Sequence, residues 1–107
     1  MDIYVPQNDN VTVHFTIGTV GYKIHLYLWR GLTYADVDIY QEPVLRGARV
    51  IANRWILPEY RMGVGGNFRF EAYESDAKDY VEYSGFNKKF RLCAYPTAEV
   101  SAMEEQA

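Results

Sequence analysis

Val11-Thr12-Val13-His14-Phe15-Thr16-Ile17, then Gly18-Thr19-Val20-Gly21, then Tyr22-Lys23-Ile24-His25-Leu26-Tyr27-Leu28-Trp29, is the stretch that decides the fold. Its first and third parts alternate apolar and polar residues. Successive side chains of a strand point to opposite faces, so a period of two marks a strand with one buried face. The middle part is a short glycine-flanked turn, and the whole reads as a β-hairpin. With Gly18 opposite Gly21, Ile17 meets Tyr22, Phe15 meets Ile24, Val13 meets Leu26 and Val11 meets Leu28 on one apolar face. A slip of one residue would turn one strand's apolar set outward. The other face then sets Thr12 against Tyr27, His14 against His25 and Thr16 against Lys23.

The pattern continues outward from this hairpin. Tyr34-Ala35-Asp36-Val37-Asp38-Ile39-Tyr40 places Ala35, Val37 and Ile39 on the apolar face. The short Arg30-Gly31-Leu32-Thr33 loop suits an antiparallel return, so three strands form a meander. Gln41-Glu42-Pro43 punctuates the chain. Val44 to Ile51 is strand-like, and Gly47 marks a bulge or bend. Asn53 suits a helix N-cap, and Arg54-Trp55-Ile56-Leu57 forms one short turn stopped before Pro58. Phe68 to Tyr73 alternates again. Glu74 to Lys88 is a polar excursion, and Phe90 to Tyr95 closes the sheet before Pro96. The tail from Thr97 to Ala107 is rich in helix formers. It is too short for a stable isolated helix, so it is either frayed or docked.

The fold expected is all-β: a small antiparallel β-barrel or sandwich of about six strands with at most one short helical turn. Residues 1–96 form a single β domain, and 97–107 a flexible or docked C-terminal tail.

Composition bounds the function. The 107 residues fit one domain, and 49% hydrophobic with 23% charged residues is a globular balance. With 11 basic against 14 acidic residues, net −3, the chain lacks the cationic excess that duplex binding needs. A single cysteine, Cys93, excludes an intrachain disulfide and a cysteine-based zinc cage. No apolar run reaches ~18 residues, so no membrane span is expected. Met1-Asp2-Ile3-Tyr4-Val5-Pro6 lacks the features of a secretion signal, so synthesis in a reducing, intracellular setting is the expectation.

Several groupings invite a chemical reading. His14, His25 and Asp38 across three strands have the donor types of a metal site with an open position. The plainer reading is a solvated face with a His–Asp cross-strand pair. Gly63-Val64-Gly65-Gly66 has glycines but no following helix and no Gly-Lys-Ser/Thr, so it reads as a loop or tight turn rather than a phosphate cradle. Glu74, Asp76, Asp79 and Glu82 lack the spacing of a calcium loop. Cys93 has no base placed beside it and reads as an inert strand cysteine. No catalytic, cofactor-binding or metal site is expected, and the chain is not read as an enzyme.

The aromatic fraction, 16% with 10 Tyr, points elsewhere. Tyr is large and rigid with a polar tip, and Tyr, Trp and Arg are frequent interface anchors. Arg46, Arg49, Arg54 and Arg61 interleave with Trp55 and Tyr60, and Tyr27, Tyr34, Tyr40, Tyr73 and Tyr95 fall on outward strand positions. A protein interface is therefore expected at Tyr27, Tyr34, Tyr40, Arg46, Arg54, Trp55, Tyr60 and Tyr73.

The order of these elements resembles the baseplate plug proteins of contractile-tailed phages, the cyanophage-type plug. The resemblance starts at Ile3-x-Val5-Pro6 and the two hairpin strands. It continues through Asp36-Val37-Asp38-Ile39-Tyr40, then Glu42-Pro43-Val44-Leu45-Arg46-Gly47, and Val50 to Leu57 with Asn53, Ile56 and Leu57. Tyr60, Gly65-Gly66, the Phe68–Phe70 strand and the acidic stretch near Asp76 and Asp79 follow. The closing Phe90-Arg91-Leu92-x-x-Tyr95 ends it. The resemblance implies a structural virion protein in the tail baseplate, made in the host cytoplasm. Its partners would be other phage baseplate proteins, hub, tube or spike, in several symmetric copies, with no cofactor, nucleic acid or membrane. The competing reading is a small β-barrel binding module for a peptide, a glycan or a single-stranded nucleic acid.

Overall fold

Residues 1–58, 65–73 and 81–105 are described by the computed structural model. Along the chain run β1 (Asp2–Ile3), β2 (Asn10–Ile17), β3 (Val20–Trp29), β4 (Leu32–Ile39), β5 (Glu42–Arg49), β6 (Gly66–Ala72), β7 (Phe90–Pro96) and α1 (Thr97–Glu105). They form two antiparallel sheets, β2-β3-β4-β5 and β1-β7-β6. The alternating residues explain why the sheets face each other. Ile24, Leu26, Ala35 and Val37 from the larger sheet join Phe68, Phe70, Leu92 and Ala94 from the smaller in one core, each at most 1% exposed. Phe68 meets Phe15 edge-on at 5.4 Å and Tyr22 at 5.7 Å, which ties the layers together. Each fully buried Phe, Leu or Ile contributes about 1.5–3 kcal/mol. The result is an all-β sandwich.

The meander is built on three two-residue turns, Gly18-Thr19, Arg30-Gly31 and Tyr40-Gln41. Such turns match the twist of the strands they join, and they need positive φ. Gly18 (φ 62), Arg30 and Gly31 (52 and 79), and Tyr40 and Gln41 (52 and 68) supply it.

These turns correct the expected register. Ile17 pairs with Val20, Phe15 with Tyr22, Val13 with Ile24 and Val11 with Leu26. The shift is two residues, so each side chain keeps its face but changes its partner. Turning at Gly18 places the glycine where φ is positive and brings Val20 into the strand, 6% exposed. Pairing His25 with Asp38 requires Trp29 opposite Tyr34, but the second hairpin also shifts by two residues, with Trp29 opposite Leu32 and Tyr27 opposite Tyr34. Tyr40 lies in a turn rather than on a strand face.

The expected helical turn at 54–57 is absent. Asn53 has φ 64, not the extended backbone of an N-cap. Its N–H donates to Phe70 O at 2.6 Å, and Ile56 N donates to Phe68 O at 3.0 Å, so the segment runs along β6 instead. Among the described residues the helical content is a 3-10 turn at Tyr83–Gly85 and α1, whose Val100 is buried. The irregularity expected at Gly47 is present: φ is 65, and the β4–β5 register shifts on either side of Val37.

Candidate protein-interaction faces

The outer face of the larger sheet gathers Tyr27, Tyr34 and Arg46 of the expected interface. Tyr27 and Tyr34 are cross-strand partners, stacked at 6.0 Å. Trp29 meets Tyr34 edge-on at 5.7 Å, and the Arg30 guanidinium sits 4.5 Å over the Trp29 ring. Beside this aromatic group runs a charged strip. Arg46 Nη1 lies 2.7 Å from Asp38 Oδ1 and Lys23 Nζ lies 3.7 Å from Asp38 Oδ2. Arg46 also donates to Leu45 O at 3.1 Å. Asp36 accepts from Gly47 N at 2.7 Å and from the Tyr27 hydroxyl at 3.4 Å. Burial, then the Asp36 charge, raises the Tyr27 hydroxyl above its ordinary range. Exposed ion pairs contribute ~0–1 kcal/mol each. Here Asp38 positions the Arg46 guanidinium, and Asp36 accepts from the Tyr27 hydroxyl beside it. Tyr40 extends from the neighbouring turn, 61% exposed, and its hydroxyl donates to Thr19 O at 3.1 Å.

The smaller sheet carries the second group, on the opposite side of the sandwich. The 53–58 segment sets Trp55 edge-on to Tyr95 at 5.7 Å, with Arg69 4.5 Å over the Trp55 ring. Arg69 Nε donates to Glu71 Oε2 at 2.9 Å, the Tyr95 hydroxyl donates to the same oxygen at 2.6 Å, and Arg91 donates to Oε1 at 3.4 Å. Burial raises the Glu71 carboxyl, but bonds from Tyr95 and Arg69 outweigh it and hold the group below the usual carboxylate range. Burial, then Glu71, pushes Tyr95 well up. Arg91 lies 5.4 Å over the exposed Tyr73 ring, and Arg54 is exposed.

Of the eight expected interface residues, three thus share one outer face with Tyr40 at its rim. Two more, Trp55 and Tyr73, share the other, and Arg54 is exposed next to Trp55 in the chain. Tyr60 lies outside the described residues, as do Arg61, Gly63, Val64, Glu74, Asp76 and Asp79. The sequence reading missed Trp29, 53% exposed, and the Arg69–Glu71 pair. Trp29 shares the outward parity of Tyr27, and Arg69 that of Glu71, so alternation was the available signal.

The other groupings disperse. His14 faces Lys23 rather than His25, and His25 faces Asp36 rather than Asp38. His25 Nε2 instead lies 2.8 Å from Asn10 Oδ1. Gly65 and Gly66 are buried, and Gly66 N donates to the Tyr22 hydroxyl at 3.1 Å. A Cβ on Gly65 would meet that hydroxyl, and one on Gly66 would meet the Tyr95 carbonyl oxygen. These glycines serve close packing. Cys93 is 1% exposed, and burial, followed by Glu71 and Asp2, pushes its thiol up to about 12.

The fold and its two outer faces define an all-β sandwich that carries aromatic and guanidinium groups on both sides. A family model described as cyanophage baseplate Pam3 plug gp18 matches residues 1–97. The chain belongs to this family of phage baseplate plug proteins, which gives it a structural role in the baseplate of a phage tail. No curated protein matches the chain.

Proposed function

We propose that the chain is a non-catalytic plug in the baseplate of a contractile phage tail, packed against the central hub and the tube or spike. Several symmetric copies act together, each made in the host cytoplasm before assembly. Tyr27, Tyr34, Tyr40 and Arg46 contact one neighbour, and Arg54, Trp55 and Tyr73 another; Tyr60 belongs to the same expected set. Neither nucleic acid nor a membrane is a partner.

Membership of the plug family over residues 1–97 carries this reading. The fixed side chains support it: rings held by cross-strand partners lose little freedom when a neighbour docks. The test is incorporation of interface variants into particles. Arg46→Glu and Arg54→Glu are expected to reduce incorporation while the isolated chain keeps its melting temperature. Full incorporation of both variants would refute the assignment of these faces.

A further inference from the structure

β2 is an edge strand of the larger sheet, and among the described residues no segment pairs with its outer side. Ile17 faces Val20 across the two-residue turn, and beyond the strand Leu28 N donates to Asp9 O at 2.9 Å. Odd-numbered residues of β2 therefore exchange backbone hydrogen bonds with β3, and the N–H and C=O groups of Thr12, His14 and Thr16 point away from the sheet. Among the described residues none of these groups has a hydrogen-bond partner.

The other long edges differ. β5 carries Pro43, the Gly47 irregularity and exposed Glu42, Arg46 and Arg49, all features that blunt an edge. The free side of β6 is covered by the 53–58 segment through Asn53 N and Ile56 N. β2 has no proline, glycine, lysine, arginine or carboxylate over its 8 residues. A recess of about 710 Å³ opens at its hairpin end, with Phe15, Tyr22 and Tyr40 as its aromatic walls and His14, Lys23 and Asp38 on its polar side. Val11 and Phe15 are only half-buried at the adjoining rim of the core.

We propose that the free edge of β2 is a strand-addition site for an extended segment of a neighbouring baseplate protein. That segment is apolar at alternate positions and seats one large apolar side chain beside Phe15. The proposal rests on the plug reading above. Backbone hydrogen bonds supply affinity in this mode, and the recess selects the side chain. A second copy's β2 fits poorly. Antiparallel pairing of two β2 edges needs its own local two-fold axis, whereas several copies ringed around one tail axis are related by that axis.

The test uses the full chain in assembled particles, with p-benzoylphenylalanine replacing Thr12 or Thr16. Both positions are expected to crosslink to one different baseplate protein, at one extended segment. Thr12→Pro and Thr16→Pro remove an outward N–H but keep the bonds to β3. Each is expected to lower incorporation roughly tenfold, the effect of about 1.4 kcal/mol. Crosslinking still decides the matter if a proline variant fails to fold. Crosslinks to a second copy overturn the proposal. So does silence at Thr12 and Thr16 while the same probe at Tyr27 still reacts, and in that case the plug reading stands. Absence of the chain from particles overturns both.

Discussion

The side chain of Asn67 pairs with the backbone of Leu57 as a neighbouring strand would. Its Nδ2 donates to Leu57 O at 2.8 Å, and its Oδ1 accepts from Leu57 N at 3.1 Å and from Phe68 N at 2.9 Å. Asn87 does the same for Val5, with Nδ2 donating to Val5 O at 2.6 Å and Oδ1 accepting from Val5 N at 3.2 Å. Two buried or half-buried amides thus stand in for backbone ladders where irregular segments cross the sandwich. Removing one leaves a buried N–H and C=O unpaired, which is dearer than the loss of an average hydrogen bond.

Asn67→Ala is therefore expected to destabilise the chain by about 2–3 kcal/mol. It should also loosen the 53–58 segment, and with it Trp55. Denaturant unfolding measures the first effect, and amide exchange at Ile56 and Leu57 the second. Stability within ~0.5 kcal/mol of the parent would show that the amide is dispensable.

Two glycine substitutions are expected to separate. Gly66→Ala forces a methyl against the Tyr95 carbonyl oxygen, a backbone atom that cannot swing aside. A loss of more than about 3 kcal/mol is expected, at the upper end for single substitutions. At Gly18 a Cβ meets nothing within 4 Å, and only the φ of 62 opposes alanine. The loss there should be about 1–2 kcal/mol. Equal effects in melting experiments would contradict the packing role given to Gly66.

Acid should act through Glu71. Its folded-state carboxyl titrates below the usual range. Its contribution is present above the unfolded value, ~4.3, and is lost as pH falls through the folded value. Glu71→Gln is expected to flatten the loss of stability below about pH 4.3. An unchanged acid profile would show that the Tyr95 and Arg69 bonds do not favour the ionised form.

Base should act through Cys93. Its folded thiol titrates at about 12, above the unfolded value. Its contribution is therefore complete below ~8.5 and is lost as pH rises toward the folded value. At pH 8 the folded chain should resist a thiol reagent, and modification should follow unfolding. Rapid labelling of the native chain would contradict the burial of Cys93.

Much of this was legible in the residues. Alternation in Val11–Ile17 and Tyr22–Trp29 fixes which side chains face the core, because parity survives any shift of two. It does not fix partners, which depend on where the turn closes. Gly18 and the Arg30-Gly31 pair take positive φ, and those positions moved both registers. His14 and His25 were separated for that reason. The Asn53 segment was misread because local N-cap preference yielded to hydrogen bonding along β6, a contact far away in sequence. The tyrosine-bearing faces were visible by parity. Their division between two opposite sides was not, since it follows from how the sheets stack.

Trp55→Ala and Arg46→Glu should differ in kind. Trp55 is packed against Tyr95 and Arg69, so its removal should cost about 1–2 kcal/mol of stability as well as impair assembly. Arg46 is exposed and should alter stability by less than about 1 kcal/mol while still impairing assembly. Parallel losses of melting temperature in both variants would show that the Arg46 strip holds the fold rather than a partner.

The central claim is tested most directly by density for this chain in an intact particle. The account predicts copies near the tail axis, with Tyr27, Tyr34 and Arg46 buried against one baseplate protein and Trp55 and Tyr73 against another. A particle without the chain, or a bound chain whose two outer faces both look into solvent, would contradict it.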